Sequence, residues 1–121
     1  MPTEAATAAR LARFARFAFV ALLFGIFVLG SHPAAGHLFL PPWDKLAHIV
    51  LFAVIAATIA TAWPRLHWAG VLALGLLIGF ADELHQVFLP ERHPGWDDGL
   101  ADLAGLALGL LLIARHRRTR Q

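Results

Sequence analysis

The chain has no cysteine among its 121 residues, which excludes a disulfide framework, a zinc–thiolate centre and any thiol nucleophile. Charge is also sparse: Asp, Glu, Lys and Arg make up 15% of the residues, against about 25% in an ordinary soluble domain. No HExxH motif, Ser-His-Asp signature, glycine-rich phosphate loop or dinucleotide fingerprint occurs, so the local markers of zinc proteases, serine hydrolases and nucleotide-binding enzymes are missing. No spacing is diagnostic of zinc, and neither a metal nor a cofactor is expected. There is no internal repeat of useful strength and no low-complexity segment. What fills the chain is apolar: 59% of the residues are hydrophobic, beyond the roughly 45–50% of soluble domains. That surplus calls for a nonaqueous environment. The net charge of +2 comes from basic residues that flank hydrophobic segments rather than decorating a polar helix, so nucleic acid is not an expected partner.

The apolar runs predict an all-α integral membrane protein, a bundle of four transmembrane helices forming a single domain over residues 1–121, with spans at about 14–30, 45–63, 69–86 and 98–114. Arg10, Arg13 and Arg16 precede the first span. A signal peptide has the same order of charge and apolar core, and Ala34 and Ala35 loosely resemble a cleavage region. The run is long for a signal, however, and three further spans need interhelical partners, so an uncleaved span is expected. Pro33, Pro41 and Pro42 exclude a continuing helix after it. Asp44 is the expected N-cap of the second span. Trp63 and Trp68 bracket a tight turn suited to the membrane interface. The fourth span, Asp98 to Arg117, covers 20 residues, about 30 Å at 1.5 Å per residue, enough for one crossing.

Alternating spans gather Arg10, Arg13, Arg16, Arg65, Arg115, Arg117, Arg118 and Arg120 at one end and leave Lys45 and Arg92 at the other. This eight-to-two bias places both termini in the cytoplasm by the positive-inside rule, in a multi-pass protein of the bacterial inner membrane. All acidic residues except Glu4 fall at the opposite, outer end.

Three polar clusters then share one membrane depth: Asp44, Lys45 and His48; Asp82, Glu83, His85 and Gln86; and Arg92, Asp97, Asp98 and Asp102. Asp44 and His48 are four apart, Glu83 and Gln86 three, Asp98 and Asp102 four, so each pair projects from one helix face. Gly75 and Gly79 lie below Glu83, and Gly105 and Gly109 below Asp102. Both are small-xxx-small patterns that let membrane helices approach closely, and packing is their simplest role. Asp97 reads as a solvated charge or a cap. For His48, a structural hydrogen bond and proton transfer are both open. A carboxylate buried at Asp102 is costly enough to favour function. His32, His37, His67, His93 and His116 read as loop or interfacial residues.

The ordered set Asp44-Lys45-x-x-His48, Glu83-x-x-Gln86, Pro90-x-Arg92 and Asp98-x-x-x-Asp102-x-x-Gly105-x-x-x-Gly109 resembles the VanZ-like family of small bacterial membrane proteins over about residues 44–109. The resemblance implies a cell-envelope role that affects the action of glycopeptides of the teicoplanin type, without supplying a reaction. Phe52 stands where many relatives have Tyr, Asp102 where many have Asn, and residues 93–96 lack the serine often found after the arginine.

The expected ligand is an anionic membrane lipid headgroup, a polyprenyl phosphate or a phospholipid. Lys45 and Arg92 would meet the phosphate, with Asp44, Gln86 and Asp98 completing the binding set. If chemistry occurs, His48, Glu83 and Asp102 are the expected acid/base residues. Whether the protein is an enzyme stays open. Two other readings are a proton-coupled transporter or flippase, which would need a homo-oligomer built through the glycine faces, and a noncatalytic structural subunit.

Overall fold

A computed structural model describes residues 1–121. The chain is all-helical, with α1 (Glu4–Phe27), α2 (Trp43–Ala62), α3 (Trp68–Gln86) and α4 (Trp96–Arg118). Two short 3₁₀ segments, Leu29–Ser31 and Pro33–His37, lie between α1 and α2. Helix α1 begins well before its apolar run. Thr3 Oγ1 accepts the Ala6 N–H at 3.2 Å, Glu4 occupies the first turn, and the alanine-rich segment that follows has high helix propensity. The basic residues before Phe14 therefore stand on the same helix as the apolar stretch.

Proline punctuation fixes most of the other ends. Pro42 takes the N-cap position of α2, with no side-chain cap. Asp44 is thus not the N-cap expected from the sequence, because its carboxylate is drawn to the Lys45 ammonium at 2.8 Å. It still sits in the first turn, where the helix dipole favours an anion. Pro64 ends α2 by disfavouring helical backbone at Trp63, and His67 Nδ1 caps α3 by accepting the Ala69 N–H at 3.2 Å. Helix α4 carries Asp97 and Asp98 in its first turn and Arg115, His116, Arg117 and Arg118 in its last, the charge order that complements its dipole.

Helix α2 is central. Phe52, Ile55, Ala56, Ile59 and Ala60 form the core with Val71 and Ile78 of α3 and Leu106 of α4. The open C-terminal carbonyls of α2 are met from two sides: Arg16 Nε donates to Ala62 O and an Arg117 terminal nitrogen to Ala60 O, both at 3.1 Å. These bonds bring the start of α1, the end of α2 and the end of α4 to one basic end of the bundle. Only 20 of 121 residues are buried, whereas Phe14, Phe17, Leu77, Phe80, Phe88 and Leu111 stand at 60% exposure or more. In water such a surface would be strongly unfavourable. Helix α1 with its 3₁₀ extension to Ser31, α2 and α3 are each long and apolar enough to cross a membrane.

Candidate functional site

At the end opposite the arginines, the start of α2, the end of α3 and the start of α4 converge. Glycine explains how. A Cβ at Gly105 would strike the Ile49 carbonyl oxygen, and one at Gly109 the Ala53 carbonyl oxygen, so α4 rides directly on the α2 backbone, the two helices running parallel. The α3 glycines act differently: Gly75 leaves room for the Leu106 side chain and Gly79 for the Asp102 carboxylate, whose Oδ2 would lie 2.8 Å from an added Cβ. One pair sets backbone approach, the other accepts side chains.

His48 Nδ1 and Asp102 Oδ1 are 2.7 Å apart, and Asp102 is 1% exposed. Behind the imidazole, the Phe52 ring lies nearly parallel to it, with centroids 6.4 Å apart and planes 6° from parallel. His48 Nε2 points the other way, 4.0 Å from Asp98 Oδ1. An Nδ1–H donated to Asp102 leaves Nε2 to accept a proton, the arrangement by which a carboxylate orients an imidazole for acid/base work.

Lys45 Nζ is surrounded by carboxylates: Asp44 Oδ2 at 2.8 Å, Asp97 Oδ2 at 3.2 Å and, closest, Asp98 Oδ1. Its charge is therefore met within the protein, and Asp97 contributes to that pairing from an exposed position. Gln86 Nε2 donates to Asp82 Oδ2 at 3.0 Å. Glu83 instead accepts the Gly95 N–H at 3.0 Å, tying the end of α3 to the start of α4. The buried face of α3 runs through Val71, Gly75, Ile78, Gly79, Asp82 and Gln86, so Gln86 partners Asp82 and not Glu83, the residue with which the sequence spacing groups it. A terminal nitrogen of Arg92 donates to Gly30 O at 2.6 Å, and no carboxylate pairs with it. Two further contacts hold the segment after α1: Ser31 Oγ lies 3.3 Å from His85 Nε2 in the last turn of α3, and His37 Nε2 lies 2.9 Å from Glu91 Oε2.

These residues divide between two hollows. A cavity of about 1290 Å³ is lined at its polar end by Asp44, His48, Asp82, Gln86, Arg92 and Asp98, and continues between Ala18, Leu22 and Ile26 of α1 and Leu51, Val54 and Thr58 of α2. Glu83 and Asp102 line a second crevice, of about 560 Å³, between α3 and α4. Of the residues singled out in the sequence, His48 and Asp102 touch, Asp44, Lys45 and Asp98 form one ion cluster, and Gln86 and Arg92 share a cavity with His48. Glu83 faces elsewhere. The sequence places Asp82 in a polar cluster but gives it no binding or acid/base role, and it gives the α1 wall none. The signal for Asp82 was its spacing of seven from Gly75, three from Gly79 and four from Gln86, which keeps it on one helical stripe. No group of three or more His, Asp or Glu is arranged to hold a metal ion.

The geometry supports a buried acid/base pair beside a cavity with one polar end and one apolar arm. No curated protein and no solved structure matches the chain. A family model does: VanZ/LLP1 matches residues 5–117, nearly the whole length, and the chain therefore belongs to the VanZ/LLP1 family.

Proposed function

We propose that this protein is a four-span membrane protein of the bacterial cell envelope, termini cytoplasmic, that holds the phosphate of an anionic lipid headgroup in the cavity at its outer end. Helix α4 is the fourth span in this reading. The eight-to-two distribution of basic residues and the meeting of Arg16 and Arg117 at the α2 C-terminus support the orientation.

The observation that carries the ligand assignment is the state of Arg92. The acidic side chains of this end each have a partner in Lys45, Gln86, His48, His37 or the Gly95 amide. Arg92 has a backbone carbonyl and no carboxylate, so its charge is open to an anion in the cavity. A guanidinium offers a planar fork suited to phosphate, with an attraction of about 4 kcal/mol at 4 Å and an effective dielectric near 20. Lys45, held by three aspartates, positions Asp44 and Asp98 in place of meeting the phosphate itself. The cavity follows α2 from Asp44 to Thr58, about 21 Å along the helix, and its apolar arm from Leu51 to Thr58 takes about 10 Å of that, room for the first part of an acyl or polyprenyl chain. His48, oriented by Asp102, is the acid/base residue if the bound headgroup reacts, and an effect on teicoplanin-type glycopeptides would follow from a change in envelope lipid.

The test is native mass spectrometry of the purified protein with phosphatidylglycerol. Arg92→Gln is expected to remove phosphate-dependent binding while the protein stays folded, its stability lowered by no more than the lost bond to Gly30 O, on the order of 1 kcal/mol. Undiminished binding by a folded Arg92→Gln protein would sink the assignment.

A further inference from the structure

The crevice between α3 and α4 lies apart from the cavity that Arg92 lines, and it holds two carboxylates that the lipid-phosphate reading leaves without a ligand. Asp102, 1% exposed, gives Oδ1 to His48, while its Oδ2 is buried with no hydrogen-bond partner. Glu83 gives Oε2 to the Gly95 amide, and its Oε1 is likewise buried and unpartnered. Both residues line the crevice, and the remaining wall is apolar, with Phe80, Leu84 and Trp96 exposed on the bundle surface. Two unpartnered acceptors of one sign in a low-dielectric wall are costly unless a donor reaches them.

We infer that this crevice is a second binding site, for the primary ammonium of a membrane amphiphile that reaches it sideways from the bilayer. The chemistry selects the ligand class. A hard metal ion takes about six oxygen ligands, and no such group is present. An ammonium brings three N–H donors and no acceptor, which suits two free carboxylate oxygens. Phe80 and Trp96 line the crevice, and aromatic rings attract a cation as it is desolvated. The volume of about 560 Å³ is far larger than a bare ion needs and admits the ammonium with its adjoining carbons.

The experiment uses the whole protein in detergent micelles and compares two short-chain phospholipids that differ only in nitrogen substitution. Phosphatidylethanolamine carries three N–H donors and phosphatidylcholine none. Native protein is expected to bind the ethanolamine lipid about tenfold or more tightly, the effect of one charge-assisted hydrogen bond. Glu83→Gln should abolish the preference with its unfolding temperature retained. Arg92→Gln acts on the other cavity and should leave the preference intact, so failure here is distinguishable from failure of the phosphate assignment. Equal binding of the two lipids by native protein overturns the inference and needs no variant. A preference that persists in Glu83→Gln, or one lost in Arg92→Gln, overturns it too. Competition by glycerophosphoethanolamine at concentrations similar to the lipid would mark a soluble amine as the occupant and overturn the membrane route.

Discussion

Replacing Gly105 by alanine probes whether backbone approach between α2 and α4 is what assembles the polar site. The added Cβ would overlap the Ile49 carbonyl oxygen and lie 3.0 Å from both Ile49 Cα and Phe52 Cβ. The Ile49 atoms belong to the main chain and cannot swing aside. Ordinary carbon contacts lie at about 3.5–4.0 Å, so the two helices must separate by roughly 1 Å at this level. The His48–Asp102 bond lies one turn away at 2.7 Å, and the same separation stretches it to about 3.7 Å, beyond hydrogen-bonding range. Overpacking costs about 1–3 kcal/mol and the charge-assisted bond about 1.5–3 kcal/mol, together roughly 2.5–6 kcal/mol. Gly99 on the same helix has nothing within 4 Å of its added Cβ, and alanine there gains about 1 kcal/mol of helix propensity. Thermal unfolding in mild detergent should therefore show opposite signs: Gly105→Ala melts well below the parent, Gly99→Ala at or above it. A Gly105→Ala protein as stable as the parent, or equal damage from both substitutions, refutes the reasoning.

Phe52→Tyr should raise stability by about 1 kcal/mol, because its hydroxyl would enter the space beside Gly79, where Phe52 Cζ and the unpartnered Asp102 Oδ2 both lie; a lower unfolding temperature would show that the space does not admit it. Arg16→Ala and Arg117→Ala each remove a donor from the α2 C-terminus and should lower stability by on the order of 1 kcal/mol apiece, read as separate shifts in the same unfolding assay; no shift in either would remove the capping role. Because the chain has no cysteine, single cysteines at positions 45, 65 and 92 are each the sole thiol, and an impermeant maleimide applied to intact spheroplasts should reach 45 and 92 but not 65. Labelling of 45 and 92 from opposite sides would dismantle the shared cavity.

Much of the acidic end could be read from spacing alone. Asp44, Lys45 and His48 share the first turns of one helix and Asp98 and Asp102 those of another, and a bundle with reversing direction must bring their ends together. The glycine pairs were legible as packing, although only the folded structure separates backbone contact at Gly105 and Gly109 from side-chain recesses at Gly75 and Gly79. The face of α3 was harder. Gln86 is three residues from Glu83 and four from Asp82, offsets of about 60° and 40° around a helix, too similar for spacing to choose between them. Tertiary packing turned Asp82 inward and left Glu83 to the crevice. The role of α1 was hidden for another reason: Ala18, Leu22 and Ile26, which wall the cavity, look like any apolar membrane segment. Asp97 looked like a solvated charge, and its attachment to Lys45 depends on a helix start 52 residues further along the chain.

Three contacts tie the segment after α1 to the last turn of α3 and the segment that follows it, His85 to Ser31, Arg92 to Gly30 and Glu91 to His37, and they fasten the rim of the larger cavity, which all of these residues but Ser31 line. The apolar arm of that cavity runs between α1 and α2, and in the proposed reading a lipid chain enters along that seam. A guest taken in there partitions first into lipid, so the quantity that governs occupancy is its mole fraction in the surrounding leaflet, and diluting the vesicles at constant lipid composition should leave the bound fraction unchanged.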